Sequence, residues 1–299
     1  MSSLAALIPA DVRARLKSLR LSTRGVPAGQ GLGQHQSRNR GAGLEFAQYR
    51  AYEPGDELRR IDWKLYARSD RYFVRDADRD SPLMVWLLLD ISASMAQTDL
   101  ARPDFSKLDA AKSLTACIVE LALRQGDAFG AVFIGTTAAE GVPVGSGARH
   151  RDRLLHRLAT LQPAGAGPEE GAALLHSLSE RVPPDALVVV LSDGFDERLT
   201  AAAERLARAR REVVSIQLLG GDECEFPFTG GYWFRDPETG AERRLVGEAA
   251  RTAFLERFGA ARTALAQRYA AAGIRHAECR LDQALDAPLQ RLFGARATA

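Results

Sequence analysis

Two uninterrupted apolar runs, each leading to a carboxylate, restrict the folds open to this chain of 299 residues. Residues 83–89 lead to Asp90, and residues 186–191 lead through Ser192 to Asp193. Continuous apolarity at strand length is typical of strands that are buried on both faces of a parallel sheet. Helical patterns lie between these strands, which predicts right-handed crossovers. The sequence therefore predicts an α/β fold with a doubly wound, mostly parallel sheet of the Rossmann type.

The chain divides near Pro82 into two segments of different composition. Residues 1–81 predict an N-terminal helix, a glycine-rich loop over 21–43 and a polar, arginine-rich arm that wraps around the rest. Residues 82–299 carry the strands and helices of the sheet domain. Inside that domain, 231–246 contains two polar-aromatic runs around a Pro-Glu-Thr-Gly turn, which predicts a β-hairpin insertion.

Hydrophobic periodicity gives the order of the remaining elements. Helices are predicted over 4–20, 107–125, 149–161, 169–181, 198–211, 248–272 and 282–293. Strands are predicted over 72–74, 83–90, 127–135, 186–191, 212–219 and 273–279.

The charge balance argues against nucleic acid as a partner. Forty Lys and Arg residues against 38 Asp and Glu residues leave a formal net charge of +2, so the whole chain is not a polyanion-binding protein. Arginines interleaved with aromatics in the first quarter could mimic a nucleic-acid surface. Acidic residues follow that cluster closely, however, at Asp76, Asp78 and Asp80.

Cysteine usage and hydropathy predict a cytoplasmic protein without a membrane span. The three cysteines, Cys117, Cys224 and Cys279, are far apart and show no C-x-x-C spacing. That pattern argues against a disulfide framework or a structural zinc site and favours reduced thiols. The N-terminal apolar run meets Pro9 and then charge, which does not fit a signal peptide. The longest apolar run, 83–89, is too short to cross a bilayer.

The two strand ends predict a site for a divalent cation. In open α/β sheets, sites form at the carboxyl ends of the strands. Asp90-Ile-Ser92-Ala-Ser94 follows one apolar run and Asp193-Gly follows the other, so two carboxylates and two hydroxyls can converge. Such hard oxygen ligands suit Mg²⁺, with Mn²⁺ as the alternative. The competing interpretation is that Asp90 and Ser94 only cap the helix that follows.

Asp90, Ser92, Ser94 and Asp193 resemble the metal-ion-dependent adhesion site of von Willebrand factor type A domains. In that fold an Asp and two Ser from D-x-S-x-S, a Thr from another loop and a later Asp surround the cation. A partner protein supplies a carboxylate to the open position. Here the Thr position falls on Pro168, and Glu169 or Glu170 could supply an oxygen instead. Both could equally be acidic first-turn residues that the helix dipole favours.

The segment before the sheet resembles the bacterial family called domain of unknown function 58. The similar stretches are 37–46, 50–56, 60–64 and 67–68, followed late in the chain by 225–227 and 236–240. The family is similar to von Willebrand factor type A proteins. The resemblance implies an association with MoxR-type AAA+ ATPases, beside which members are commonly encoded. With those ATPases the members are thought to act in protein maturation or complex assembly.

The residues of the arm also have a physical interpretation of their own. Pro54-Gly55 sets a tight turn after Tyr52, and Asp56 and Asp62 can form ion pairs with basic neighbours such as Arg68. Trp63, with Tyr66, supplies an apolar anchor that docks the arm. Alternatively, the arm is a partner-binding surface, because Arg, Tyr and Trp are enriched in interface hot spots.

The sequence lacks the motifs that a catalytic interpretation would require. There is no G-x-S-x-G elbow, no P-loop and no histidine directly after a predicted strand. Phosphotransfer to Asp90 would call for a second Asp at position 92, where the chain has Ser92. We therefore expect a non-enzymatic protein-interaction module with a divalent-metal site, and the family resemblance implies that it acts with a MoxR-type AAA+ ATPase. A metal-independent interaction scaffold and a metal-dependent hydrolase are the alternatives.

Overall fold

The computed structural model describes residues 7–23, 48–52, 61–76, 82–135, 141–164, 177–178 and 180–294. The chain forms two compact units, one of residues 24–82 and one of residues 1–23 with 83–299. This grouping differs from the expected division at residue 81, because the N-terminal segment belongs to the sheet unit. The physical reason is burial, since Ile8, Val12 and Leu16 are part of its hydrophobic core.

Helices and strands alternate along much of the chain. Near the start of the described residues, α1 is Ala10–Arg15. The smaller unit contains β1 (Gln48–Ala51), α2 (Trp63–Ser69) and β2 (Phe73–Asp76). The first half of the sheet unit contains β3 (Met84–Asp90), β4 (Thr98–Asp99), β5 (Arg102–Ser106), α3 (Lys107–Gln125), β6 (Ala128–Ile134), β7 (Gly141–Gly145) and α4 (Ala148–Thr160). The second half contains β8 (Leu187–Ser192), α5 (Glu197–Arg208), β9 (Glu212–Leu219), α6 (Gly221–Glu225), β10 (Gly231–Arg235), β11 (Glu242–Val246), α7 (Gly247–Ala271), β12 (Arg275–Arg280) and α8 (Ala287–Phe293).

The central sheet has six strands in the order β12-β9-β8-β3-β6-β7. Neighbouring strands are parallel except β7, which is antiparallel to β6 at the edge. Within this sheet the chain runs from β3 to β6 and β7 on one side. It then crosses to β8 on the other side of β3 and continues outward to β9 and β12. This doubly wound order confirms the predicted fold class and places the topological switch point between β3 and β8.

Alternate side chains of β3 enter two separate hydrophobic clusters. Val85, Leu87 and Leu89 pack in one cluster with residues of α1, α3, α4 and α8. Trp86 and Leu88 pack in the other cluster with residues of α5 and α7. Burying such a side chain stabilises the fold by roughly 1.5–3 kcal/mol. Burial on both faces explains why the strand is apolar without alternation.

The predicted hairpin insertion is confirmed as β10 and β11, which pair antiparallel from Gly231 opposite Val246 to Arg235 opposite Glu242. The sequence did not indicate β4, β5, β7 or α6. Proline interrupts β5 and β7, and glycine lies at both ends of β7, so their composition is typical of turns. A Cβ on Gly130 of β6 would lie only 2.8 Å from the Val144 amide nitrogen, so this glycine permits the close approach of β7.

Several expectations fall outside the described residues. They include the glycine-rich loop at 24–43 and most of the predicted helix over 169–181. Among the helices that the structure describes, none combines the length and apolarity needed to cross a membrane.

The described residues of the smaller unit form an antiparallel strand pair and a short helix. β1 pairs with β2 from Gln48 opposite Asp76 to Ala51 opposite Phe73. The ring of Tyr66 on α2 stacks on Tyr72 with the ring centroids 4.5 Å apart. The strand that the sequence predicts over residues 72–74 thus overlaps β2, which spans Phe73–Asp76.

Candidate functional site

Asp90 ends β3 with its carboxylate at the switch point of the sheet, where the side chain is only 2% exposed. Its Oδ1 accepts a hydrogen bond from the Ser92 amide at 2.9 Å. Its Oδ2 accepts one from the Ser192 hydroxyl at 2.6 Å, which links β3 to the end of β8. Two hydrogen bonds, one from the following turn and one from the end of β8, therefore fix the Asp90 carboxylate.

The turn after Asp90 brings the two predicted serines together. A 3₁₀ turn over Ala93–Ala96 places the Ser92 and Ser94 hydroxyl oxygens 3.0 Å apart. Gly135, at the end of β6, has a φ of +130°, and a Cβ there would lie 3.0 Å from the Ser92 nitrogen. This glycine lets the β6 loop lie directly against the serine turn.

Asp193 follows β8 and is 1% exposed. Its Oδ1 accepts the Phe195 amide at 3.2 Å, and its main-chain carbonyl accepts the Gln217 side-chain amide at 2.9 Å. Its Oδ2 has no hydrogen-bond partner although it is buried. A buried oxygen without a donor is costly and marks a place where a cation or water is expected.

Asp90 and Asp193 converge as the sequence predicts, and their proximity is visible in the electrostatics. Burial, followed by the negative charge of Asp193, raises the pKa of Asp90 to about 6. The two hydrogen bonds to Asp90 act in the opposite direction and do not cancel these effects. The carboxylates of Asp90 and Asp193 therefore repel each other in a poorly solvated position.

Lys107, which the sequence patterns did not single out, lies beside these carboxylates with 1% of its surface exposed. Its Nζ donates to Glu223 Oε1 at 2.7 Å and to Gln97 Oε1 at 2.8 Å. The same Nζ is 3.8 Å from Asp193 Oδ2. Lys107 is the first residue of α3, whose N-terminus is held by a capping box between Ser106 and Asp109. A positive charge at a helix N-terminus is repelled by the helix dipole, so the acidic neighbours of Lys107 must offset that repulsion.

The tip of the β10–β11 hairpin supplies a third carboxylate near the serine turn. Glu238 Oε1 accepts the backbone amide of Ser94 at 2.8 Å. The guanidinium of Arg198 is also close. Hydrogen bonding to Asp196 raises the pKa of Arg198, and the charges of Asp90 and Glu238 add to that rise. Only the stretch 236–240 as a whole was singled out in the sequence, without a role for Glu238.

A cavity of about 510 Å³ lies between the strand ends, the hairpin tip and α7, and Asp90, Asp193 and Glu238 are among the residues that line it. One wall is aromatic, formed by Phe195, Phe254 and Phe258. The rings of Phe254 and Phe258 stack with the centroids 5.5 Å apart. A cavity of this size, with apolar walls and a few convergent polar groups, is typical of binding sites.

The donor set at the strand ends fits a hard divalent cation. Asp90, Asp193 and the hydroxyls of Ser92 and Ser94 offer oxygen atoms, and Asp193 Oδ2 has no hydrogen-bond donor. Within the part of the chain that the structure describes, no group of three Asp, Glu, His or Cys side chains is arranged to hold a metal. The set is thus two carboxylates with hydroxyls, which suits Mg²⁺ because this ion keeps several of its waters.

Three of the predicted site residues, Glu169, Glu170 and Asp56, lie outside the described part of the chain, as does Pro168 at the expected Thr position.

Four predicted arm residues belong to the smaller unit. The Asp62 carboxylate accepts the amides of Lys64 and Leu65 and so caps α2, a role that the sequence patterns did not assign. Trp63 is 59% exposed, and Arg68 is exposed in the last turn of α2. The ring of Tyr52 meets Tyr72 edge-on with the centroids 6.3 Å apart.

Similar solved structures have low overall superposition scores. The chain matches BatB from Bacteroides thetaiotaomicron with a TM-score of 0.42 and 16% identity, over 70% of this chain and 95% of that chain. It matches a von Willebrand factor type A protein from Catenulispora acidiphila with a TM-score of 0.36 and 19% identity, over 63% of this chain and 43% of that chain.

Sequence comparison identifies the family. Uncharacterized proteins of Mycobacterium bovis and Mycobacterium tuberculosis are each 30% identical to this chain over 233 residues, which is 78% of this chain and 73% of theirs. The family model for DUF58, described as a protein of unknown function, matches residues 48–265. The chain therefore belongs to the DUF58 family.

Proposed function

We propose that this chain is a non-enzymatic protein-interaction module that binds its partner at the carboxyl end of the central sheet. In this proposal Asp90, Ser92, Ser94 and Asp193 hold a divalent cation, Mg²⁺ or Mn²⁺. The partner is a MoxR-type AAA+ ATPase, with which the chain acts in the cytoplasm in protein maturation or complex assembly. The family resemblance motivates the choice of partner, and the site geometry motivates the location of the contact.

The observation that carries the proposal is the buried Asp193 Oδ2, which lacks a hydrogen-bond donor next to a second carboxylate, Asp90. Bringing two carboxylates together out of water is unfavourable unless a positive charge compensates them. A bound divalent cation would supply that charge and a Lewis-acidic centre for a carboxylate of the partner. The protein's own side chains orient the site, since Ser192 and the Ser92 amide fix the Asp90 carboxylate.

The position of the histidines supports a binding role over a hydrolytic one. The described histidines are His150, His156 and His276, and none of them lines the cavity. His150 Nε2 instead contacts the Phe129 carbonyl oxygen at 2.8 Å. A nucleophilic serine at position 92 or 94 would therefore lack a histidine base within the described residues. Turnover in a phosphatase and esterase screen, abolished by Asp193→Ala, would contradict the binding role.

Lys107 favours a second candidate, a metal-independent interaction scaffold. Its buried ammonium group already lies 3.8 Å from Asp193 Oδ2 and so offsets part of the negative charge. In this alternative the strand-end loops keep their shape through Lys107, Glu223 and Gln97 without an added cation. The partner would then bind equally well in the presence of a chelator.

A capture experiment separates these two candidates. The full chain is immobilised, and a purified MoxR-type ATPase of the same host is passed over it with Mg²⁺ or with EDTA. We expect retention in Mg²⁺, loss in EDTA and loss with Asp90→Ala. The control is Asp152→Ala, which removes an exposed carboxylate on α4. Retention that is equal in EDTA would favour the scaffold, and no retention under either condition would contradict the proposed partner.

A further inference from the structure

The hairpin insertion places one of its own carboxylates on the loop that carries the proposed cation ligands. Glu238 Oε1 accepts the Ser94 amide at 2.8 Å across 144 residues of sequence. Ser94 is one of the two serines of the site, and its hydroxyl lies 3.0 Å from that of Ser92. A hydrogen bond to an ionised acceptor is about twice as strong as a neutral one. This contact therefore ties the hairpin tip directly to the serine turn.

The tip is a rigid turn that presents Glu238 in a fixed direction. Asp236 Oδ1 accepts the Glu238 amide at 2.9 Å, and Asp236 Oδ2 accepts the Thr239 hydroxyl at 2.7 Å. The Gly240 amide donates to the Asp236 carbonyl at 2.8 Å, and Gly240 has a φ of +71°, which favours glycine. Together with Pro237, which fixes its own φ, these bonds limit the freedom of the tip.

The rest of the hairpin packs through one face against a cluster of aromatic rings that extends to α7. On one face, Phe234 stacks on Phe226 with the ring centroids 5.7 Å apart. On the opposite face, Trp233 and Val246 are 67% and 55% exposed. A two-stranded hairpin that is packed on one face should open at a lower free energy than a central sheet that is buried on both faces. We therefore expect the hairpin tip to leave the site more readily than the core unfolds.

We propose that Glu238 is an internal occupant of a carboxylate-binding position at the Ser94 amide, and that an external carboxylate must displace it. This inference rests on the proposed role of the strand ends as the binding edge. The ligand class that follows is an exposed Asp or Glu side chain on a protein segment. An intramolecular competitor acts at an effective concentration of about the millimolar range or above. A partner must therefore add further contacts, for example with the aromatic wall of the cavity.

The first test measures hydrogen exchange of the Ser94 amide by NMR in the full chain without added metal. Glu238→Ala removes the acceptor, and we expect Ser94 to exchange at least roughly tenfold faster, the size of effect that loss of a charged hydrogen bond gives. Glu238→Gln keeps an acceptor without the charge, so its Ser94 exchange rate should lie between those of wild type and Glu238→Ala. The matched control is Glu242→Ala, an exposed carboxylate on the same hairpin, which should leave the rate unchanged. Equal rates in wild type and Glu238→Ala would overturn the inference.

The second test uses glutarate as a small carboxylate probe and follows the Ser94 amide resonance. In Glu238→Ala we expect a saturable shift at millimolar glutarate, with an affinity at least roughly tenfold higher than in wild type. Equal affinities would overturn the inference, even if the variant folds normally. Failure of ATPase capture would count against the proposed function alone, whereas these two measurements do not involve the ATPase.

Discussion

The ammonium of Lys107 lies 3.8 Å from Asp193 Oδ2 in a position where each side chain exposes only 1% of its surface. The same ammonium donates to Glu223 Oε1 at 2.7 Å, so one buried positive charge serves two carboxylates. A buried charge network of this kind is strongly destabilised when one member is removed, because the others keep their desolvation cost. Lys107 is thus an internal cation at the edge where we propose a metal ion.

Substitution of Lys107 by methionine should destabilise the metal-free protein by about 3–5 kcal/mol, the usual cost of leaving buried charges unpaired. Mg²⁺ should restore part of that loss, because in the absence of the Lys107 ammonium the ion can approach Asp193 without repulsion. Urea unfolding in EDTA and in Mg²⁺ measures both effects. Lys17→Met, at an exposed position, is the control. A Lys107→Met protein as stable as wild type in EDTA would contradict this account.

Asp90→Asn should stabilise the metal-free protein at pH 7.5. Burial and Asp193 raise the pKa of Asp90 from 3.8 to about 6, so the folded state binds this proton more tightly than the unfolded state. The contribution of this group is therefore present below pH 4 and is lost as the pH rises through 6. Two pKa units correspond to roughly 2–3 kcal/mol, which the asparagine variant should regain.

Urea unfolding of wild type and Asp90→Asn at pH 5 and pH 7.5, both in EDTA, tests this prediction. The stability difference between the proteins should grow as the pH is raised. A difference that is the same at both pH values would show that Asp90 does not titrate as described.

Gly135→Ala should disturb the serine turn. The glycine has a φ of +130°, and a Cβ would lie 3.0 Å from both the Ile91 carbonyl carbon and the Ser92 nitrogen, which are backbone atoms. We expect a loss of about 1–3 kcal/mol, the usual cost of a strained backbone position. Gly259→Ala is a matched control, because that helical glycine has nothing within 4 Å. It should gain about 0.5–1 kcal/mol in thermal or urea unfolding. Equal effects of the two substitutions would contradict the prediction.

Acid should weaken the contact between α1 and the residue that precedes α8. Arg15 donates to both carboxylate oxygens of Asp286, at 2.8 and 2.7 Å, and this holds the pKa of Asp286 below its usual value. A lowered pKa in the folded state means that the stabilisation is present above pH 4 and is lost as the pH falls further. Thermal unfolding between pH 3 and pH 7 should show a smaller acid-induced loss for Asp286→Asn than for wild type. An equal acid-induced loss of stability in the two proteins would contradict the stabilising role of the Arg15–Asp286 ion pair.

The strand ends could be predicted because one local pattern encodes both their structure and their chemistry. Burial on two faces makes the strands continuously apolar, and the switch point brings Asp90 and Asp193 together. The sequence patterns did not reveal two other residues of the site, Lys107 and Glu238, which come from segments that are distant along the chain. Lys107 begins a helix, where a charged residue is ordinarily solvated, and its burial depends on Glu223, 116 residues away.

Glu238 could not be found from its neighbours either. Its stretch predicts a hairpin tip, and an acidic residue in a tip is usually exposed. Its contact with Ser94 depends on the angle at which the hairpin packs through Phe234 on Phe226. The contributions of Glu169, Glu170 and Asp56 stay predictions, since these residues lie outside the described part of the chain.

The most direct test of the central claim is calorimetric titration of the full chain with Mg²⁺, repeated with Mn²⁺, for wild type and Asp90→Ala. Circular dichroism before each titration checks that the variant is folded. The proposed site predicts a saturable heat for wild type and only the heat of dilution for Asp90→Ala. Identical heats for the two proteins would contradict a cation site at the ends of β3 and β8.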